Sequence, residues 1–165
     1  MMAPFILKTF YRRKLPHLQR DGKPHFVTFC THQRWILPEN ARSITLNCCL
    51  YDNGSKLFAH AVVVMPDHVH MIFTPLVDED KQEVCSLARI MDRIKGASAH
   101  LINRELGRNG RVWQTESFDR VLRASEKLEE KIAYLLENPI RKGLVREWKD
   151  YQWFWCADQV NPFRP

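Results

Sequence analysis

The stretch that decides the fold is residues 62–73, which read Val62-Val63-Val64-Met65-Pro66-Asp67-His68-Val69-His70-Met71-Ile72-Phe73. The β-branched residues before Pro66 predict one strand, and the apolar residues after it predict a second. Because the break at Pro66 is short, we expect the two strands to pair antiparallel. Side chains alternate along a strand, so Val69 and Met71 share one face of the second strand while His68 and His70 share the other.

The histidine pair indicates a metal site without completing one. Imidazole is a common metal ligand, and two imidazoles on adjacent positions of one face can chelate a single ion. The same spacing also occurs by chance on a solvated strand face. A metal site needs at least one further ligand from another part of the chain.

The elements on either side of this stretch predict the fold class. Alternation, helical periodicity and turn residues predict strands at 25–31, 56–65 and 68–74, helices at 39–51, 81–106 and 125–138, and a strand or turn-rich link at 112–122. The order β-α-β-β-α-β-α predicts an α+β protein. We expect a ferredoxin-like antiparallel sheet with helices on one face, followed by a C-terminal helix that carries a tyrosine.

That last helix places its tyrosine away from its apolar side. Ser125 is the expected N-cap, and Pro139 ends the helix. At about 100° per residue, one apolar stripe contains Leu128, Ile132, Leu135 and Leu136. Tyr134 points away from this stripe, and Asn138, one turn later, lies next to it off the apolar face. Tyr134 is therefore either a functional residue or an ordinary surface or half-buried tyrosine.

Length and charge predict one domain with a preference for polyanions. The 165 residues form a single predicted domain, 1–165, with a basic N-terminal arm at 1–22 and an aromatic tail at 148–165. The formal net charge of +6 favours polyanionic partners, although a solubilising surface is the usual explanation of such charge when nothing else indicates nucleic acid. We expect the aromatic tail to pack onto the core; the alternative is stacking on unpaired bases.

The cysteines indicate a reducing compartment. The chain has five cysteines and no Cys-x-x-Cys pair, and they are Cys30, Cys48, Cys49, Cys85 and Cys156. Together with the lack of a signal peptide or a membrane-spanning apolar run, this predicts a cytoplasmic protein with reduced thiols and no membrane association.

Three motifs, in order, resemble the single-tyrosine transposases of the His-hydrophobic-His (HUH) superfamily. They are residues 62–70, then 112–114 with 118–123, then 134–139 with 141–145. The similarity spans about residues 23–153 and is greatest to the REP-associated tyrosine transposases. One departure is at the tail, where Phe154 and Trp155 replace the small hydroxyl residues that are frequent in relatives.

The resemblance implies a reaction and a site. It implies metal-dependent cleavage and joining of single-stranded DNA at hairpin or palindromic elements, through a 5′-phosphotyrosine intermediate. Tyr134 would be the nucleophile, and His68, His70 and Asn138 would bind Mg²⁺ or Mn²⁺, although imidazole ligands alone would equally suit zinc. Relatives act as monomers or homodimers, and the sequence does not choose between these states.

The basic residues are candidates for contacts with the DNA backbone. Such contacts position a nucleic acid without reading its sequence. The candidates, in the arm, on the long helix and after residue 122, are Arg12, Arg13, Lys14, Arg89, Arg93, Lys95 and Arg123. Asp67 and Asp119 are candidates to orient a metal ligand, and each is equally explained as a turn residue.

Three alternatives stay open. A catalytically idle relative would bind nucleic acid without cutting it, and a relaxase-type nickase would share the histidine pair and the covalent step. A metal-dependent phosphodiester hydrolase would activate water, release products without a protein adduct, and not need Tyr134. An RNA-recognition domain is disfavoured because its aromatic strand signature is missing.

Overall fold

The computed structural model describes residues 22–78 and 80–158. Arg12, Arg13 and Lys14 therefore lie outside the described residues. The elements are β1 (His25–Thr31), α1 (Glu39–Leu50), β2 (Leu57–Val64), β3 (His68–Pro75), β4 (Val77–Asp78), β5 (Glu83–Val84), α2 (Leu87–Glu105), β6 (Trp113–Val121), α3 (Leu128–Leu136), α4 (Asn138–Arg141) and β7 (Phe154–Cys156). No helix in these two ranges is long and apolar enough to cross a membrane.

Five strands form one antiparallel sheet in the order β6-β1-β3-β2-β7. The strands β1 and β2 run in the same direction, with β3 between them and antiparallel to both, and α1 makes the connection from β1 to β2. The α+β class and the antiparallel sheet are confirmed. The residues at 112–122, whose structure the sequence left open, form strand β6 at one edge.

One face of the sheet is a dry apolar core covered by α1 and α2. Val27 and Phe29 of β1 lie opposite Met71 and Val69 of β3, and all four are fully buried. Trp113 of β6 packs edge-on against Phe29, with ring centroids 4.9 Å apart. Its indole nitrogen donates to Ser98 Oγ of α2 at 2.9 Å, which ties this helix to the face.

The other face of the sheet carries the histidines and is partly covered by α3. On β2, Ala61 and Val63 lie in register with Ile72 and His70 of β3. Both Ala61 and Val63 are fully buried, and α3 packs against β2. The apolar stripe of α3 therefore covers one half of this face, while β1 and β6 extend beyond it on the other side.

Two helices begin later than the sequence predicts. The long helix starts at Leu87 instead of residue 81, because Glu83–Val84 form strand β5 and pair with Val77–Asp78 of β4. The hairpin is fixed by Asp78, which accepts a hydrogen bond from Lys56 Nζ at 2.9 Å, and Ser86 then caps α2. The tyrosine helix starts at Leu128 instead of Ser125.

The C-terminal aromatic segment packs onto the domain, as predicted. The Tyr151 hydroxyl donates to the Val64 carbonyl at 2.6 Å, and the Trp153 indole donates to Ser43 Oγ at 3.0 Å. The Arg42 guanidinium lies 3.9 Å from the centre of the Trp153 ring. The segment then continues as β7, a fifth strand that the sequence did not predict. These contacts secure the end of β2, immediately before the histidine strand.

Candidate active site

The antiparallel pairing of β1 and β3 builds the histidine pair. His68 and His70 lie on the same face of β3, with ring centroids 4.7 Å apart and planes inclined at 76°. His70 lies between Thr28 of β1 and Val63 of β2 in the strand register. Phe26 contacts the His70 ring at a centroid distance of 5.6 Å. The pair is thus held on a rigid central strand, as the alternation predicted.

Each imidazole is oriented by a hydrogen bond at Nδ1. The His68 Nδ1 lies 2.7 Å from Asp67 Oδ1, and the His70 Nδ1 lies 2.7 Å from Thr28 Oγ1. Asp67 also pairs with Arg34 at 2.9 Å. Although partial burial opposes it, His68 and Arg34 together hold the pKa of Asp67 below its usual value. The Nε2 atoms of both rings are then the ones that can accept a metal ion.

The environment of His70 favours its neutral form. Burial, reinforced by the nearby charges of His68 and Arg141, lowers the pKa of His70 to about 4. Neutral imidazole is the form that binds a metal. Within residues 22–78 and 80–158, no three His, Cys, Asp or Glu side chains form a metal-binding group. A metal on these histidines would need a further ligand of another kind, such as an amide oxygen.

The tyrosine helix presents its tyrosine outward, as the helical periodicity predicted. Ile132, Leu135 and Leu136 are buried, whereas Tyr134 is 57% exposed. The backbone then departs from regular helix at Glu137, where ψ is −8°, and α4 begins at the next residue. A tyrosine with its ring in solvent is accessible to a macromolecular substrate.

Asn138 differs from its predicted position. It is 8% exposed, although the periodicity placed it off the apolar face. The break at Glu137 explains the difference, because a constant rotation of about 100° per residue does not hold across it. Asn138 therefore lies inside the protein, four residues beyond the exposed Tyr134.

Arg141 packs on the ring of Tyr134. Its guanidinium carbon lies 4.0 Å from the centre of the Tyr134 ring, and its Nη2 donates to the Tyr134 carbonyl at 2.6 Å. Glu137 pairs with the same guanidinium at 3.4 Å. The charge of Arg141 also acts on His70. Arg141 was not among the predicted site residues, because the backbone break at Glu137 separates it from the helix of Tyr134 and helical spacing does not place the two together.

The basic residues predicted on the long helix do not lie near the histidines. α2 packs against the opposite face of the sheet, where Arg93 makes a two-pronged ion pair with Asp52 at 2.8 and 3.2 Å. Lys95 donates to the Thr115 carbonyl at 2.9 Å, and burial lowers the pKa of Lys95. Arg89 and Arg123 are exposed, the latter just beyond β6.

Other candidates lie outside the site. Asp119 is in register with Val27, on the face covered by α2, so it does not orient either histidine of the pair. His25 stacks on Phe73 at a centroid distance of 6.3 Å, and His60 bonds Thr74 Oγ1 through Nε2 at 2.8 Å. Both are buried packing residues.

An antiparallel sheet that carries a His-x-His pair on one strand and packs against a tyrosine-bearing helix defines the class of HUH single-tyrosine transposases. The family model described as "Transposase IS200 like" matches residues 19–134. The chain therefore belongs to the IS200-like transposase family, whose members are DNA-cleaving and strand-transferring enzymes of DNA transposition. The match ends at Tyr134, so Asn138 and α4 lie beyond it.

One of three similar solved structures, the first below, supports the fold. A REP-associated tyrosine transposase bound to a REP hairpin is similar with a TM-score of 0.64 and 19% identity, covering 94% of each chain. A putative transposase from Deinococcus radiodurans R1 gives a TM-score of 0.46 and 22% identity, over 70% of this chain and 88% of its own. A bacterial tRNA(His) guanylyltransferase-like protein in complex with GTP gives a TM-score of 0.49 and 13% identity, over 80% of this chain and 65% of its own. No curated protein matches the chain.

Proposed function

We propose that this transposase cleaves and rejoins single-stranded DNA beside a hairpin, with Tyr134 as the nucleophile and a divalent cation, Mg²⁺ or Mn²⁺, bound by His68, His70 and Asn138. The observation that carries the proposal is an exposed tyrosine on a helix that packs against β2, the strand beside the one that holds two oriented imidazoles. The hairpin bound by the REP-associated relative supports the choice of substrate.

The donor atoms of these residues are of the kinds that would bind a divalent cation. Both histidines have Nδ1 engaged, by Asp67 and by Thr28, so each offers Nε2. Two imidazoles with the amide oxygen of Asn138 make a mixed nitrogen and oxygen set, which leaves positions for phosphate oxygens. Such a cation supplies Lewis-acid polarisation of the scissile phosphodiester when bound.

The chain's own residues would carry out the covalent step. The Tyr134 oxygen attacks phosphorus and loses its proton, while the bond from phosphorus to the 3′ oxygen breaks and that oxygen gains a proton. The products are a 5′-phosphotyrosine and a free 3′-hydroxyl. Because one phosphoester replaces another, the 3′-hydroxyl of a second strand can reverse the step and join strands. Arg141, stacked on the ring, would hold the nucleophile in a fixed orientation.

The test is a denaturing gel with single-stranded hairpin DNA, with Mg²⁺ or Mn²⁺ and with a chelator. Hairpins with random flanks and genomic palindromes are used together, because the target sequence is unknown. Tyr134→Phe should abolish a metal-dependent protein–DNA adduct that the wild type forms. Tyr51→Phe is the matched control, because Tyr51 is an exposed tyrosine at the end of α1, away from the histidine face.

The outcomes separate the alternatives. An adduct lost only in the Tyr134 variant supports the proposal. Cleavage without an adduct would favour a hydrolase that activates water. Salt-sensitive binding without cleavage across the whole panel would favour a catalytically idle relative.

A further inference from the structure

An exposed phenylalanine lies on the histidine face, at the sheet edge that α3 does not cover. Phe118 of β6 is 59% exposed. In the strand register it is opposite Thr28, and Thr28 is opposite His70 on its other side. Residues that are paired across antiparallel strands point to the same face. Phe118, Thr28 and His70 therefore form one row across three strands.

The row sets the distance from the phenylalanine to the candidate metal ligands. Neighbouring strands are about 4.8 Å apart, so Phe118 lies about 10 Å from His70 along the sheet. Suppose that the scissile phosphate of an extended single strand lies at the histidines. A base one or two nucleotides from that phosphate would then lie over β6. The intervening Thr28 is small and only partly buried.

The surroundings of Phe118 suit a nucleic acid. Arg120 follows on the same face, with its guanidinium 5.9 Å from the centre of the Phe26 ring and paired with Glu126 at 2.8 Å. Arg123, exposed, follows the end of the strand. An aromatic ring in solvent can bind a base by stacking, and the exposed Arg123, unlike the Arg120 that pairs with Glu126, can bind a flanking phosphate by charge.

We propose that Phe118 is a stacking platform for an unpaired DNA base next to the scissile phosphate. The proposal rests on the proposed function, because it takes single-stranded DNA as the substrate. Every base has a flat π face, so the platform would hold the strand in register without reading its sequence. It would explain why a large apolar side chain is left in solvent on the polar face of the sheet.

The experiment is fluorescence anisotropy with a fluorescein-labelled single-stranded oligonucleotide of mixed sequence, and with the blunt duplex of the same sequence. Phe118→Ala should weaken single-strand binding about tenfold, since stacking contributes at that scale. Phe118→Trp should bind as tightly as the wild type, and Phe118→Leu, which keeps apolar area without a π face, should bind like the alanine variant. Duplex affinity should not change. Tyr51→Ala is the matched control for loss of an exposed ring and should bind like the wild type.

Several results would overturn the platform. These are wild-type affinity in Phe118→Ala, full rescue by Phe118→Leu, or an equal loss on the duplex. Unchanged DNA binding with altered sedimentation would instead assign Phe118 to contact between copies of the chain along edge strand β6. If the wild type forms the Tyr134 adduct and Phe118→Ala binds single-stranded DNA normally, the platform is wrong and the proposed function stands. If the wild type does not bind single-stranded DNA, the proposed function is wrong as well.

Discussion

The two faces of the central sheet differ in what their side chains contact, although the same strands supply both. Towards α1 and α2, β3 presents Val69 and Met71, which are fully buried among apolar neighbours. Towards α3 and the open edge, the same strand presents His68 and His70, each with a polar partner at Nδ1. One face therefore provides stability, and the other holds chemical groups at fixed positions. Substitutions on the two faces should separate stability from activity.

The largest expected effect comes from the apolar face. Met71→Ala should lower the free energy of unfolding by about 2–5 kcal/mol, because it removes buried apolar atoms and leaves a cavity. Adduct formation per folded molecule should be retained well below the melting temperature. Urea denaturation followed by circular dichroism gives the first quantity, and gel quantification gives the second.

Thr28→Val on the opposite face is the matched comparison, because it preserves side-chain shape and removes only the hydroxyl that bonds His70. We expect a loss of stability of about 1 kcal/mol and, because the proposed function makes His70 a metal ligand, a fall in adduct formation of at least about tenfold. If Met71→Ala and Thr28→Val changed stability and activity in the same proportion, the division between the faces would be wrong.

The next prediction concerns the pH dependence of the free energy of unfolding, to which buried histidines contribute. Burial lowers the pKa of His25, and it lowers the pKa of His60 to about 4. In the unfolded chain a histidine titrates near about 6.5, so between pH 6.5 and pH 4 the unfolded state binds more protons. The free energy of unfolding should therefore be highest above pH 6.5 and fall as the pH decreases to about 4, with His60 contributing on the order of 2 kcal/mol.

Denaturation at several pH values measures this slope. His60→Asn should reduce this slope between pH 6.5 and pH 4 without removing it, because the buried His25 and His70 still contribute, whereas substitution of the exposed His100 should not change it. An unchanged slope in His60→Asn would show that this histidine does not titrate with folding.

Alternation and periodicity predicted the parts of the fold that depend on local sequence. The ranges of β1 and β3, the shared face of the histidines and the outward direction of Tyr134 all follow from side-chain repeats. The β4–β5 hairpin could not be read in this way, because it depends on Lys56, which lies 22 positions before its partner Asp78.

The rest of the site depends on long-range placement. Thr28 reaches His70 only through the register of β1 and β3, which no local pattern specifies. Arg93 has helical spacing suited to a phosphate contact, yet its guanidinium binds Asp52, 41 positions away. The burial of Asn138 follows from a backbone break at Glu137 that a helical wheel does not contain.

The smallest expected effect tests whether the Arg141 contact belongs to the chemistry of the polar face. Arg141→Gln should slow adduct formation about tenfold at saturating DNA, because Tyr134 would lose the guanidinium stacked on its ring and be oriented less often for attack. Arg141→Lys should recover little of the lost rate, since an ammonium keeps the charge but not the planar guanidinium that donates to the Tyr134 carbonyl while stacking on the ring.

Arg146→Gln removes an exposed charge shortly after α4 and is the control for general attraction of DNA. Single-turnover rates at saturating DNA separate the step from binding. Equal rates in Arg141→Gln and Arg146→Gln would show that Arg141 contributes charge alone and does not position the tyrosine.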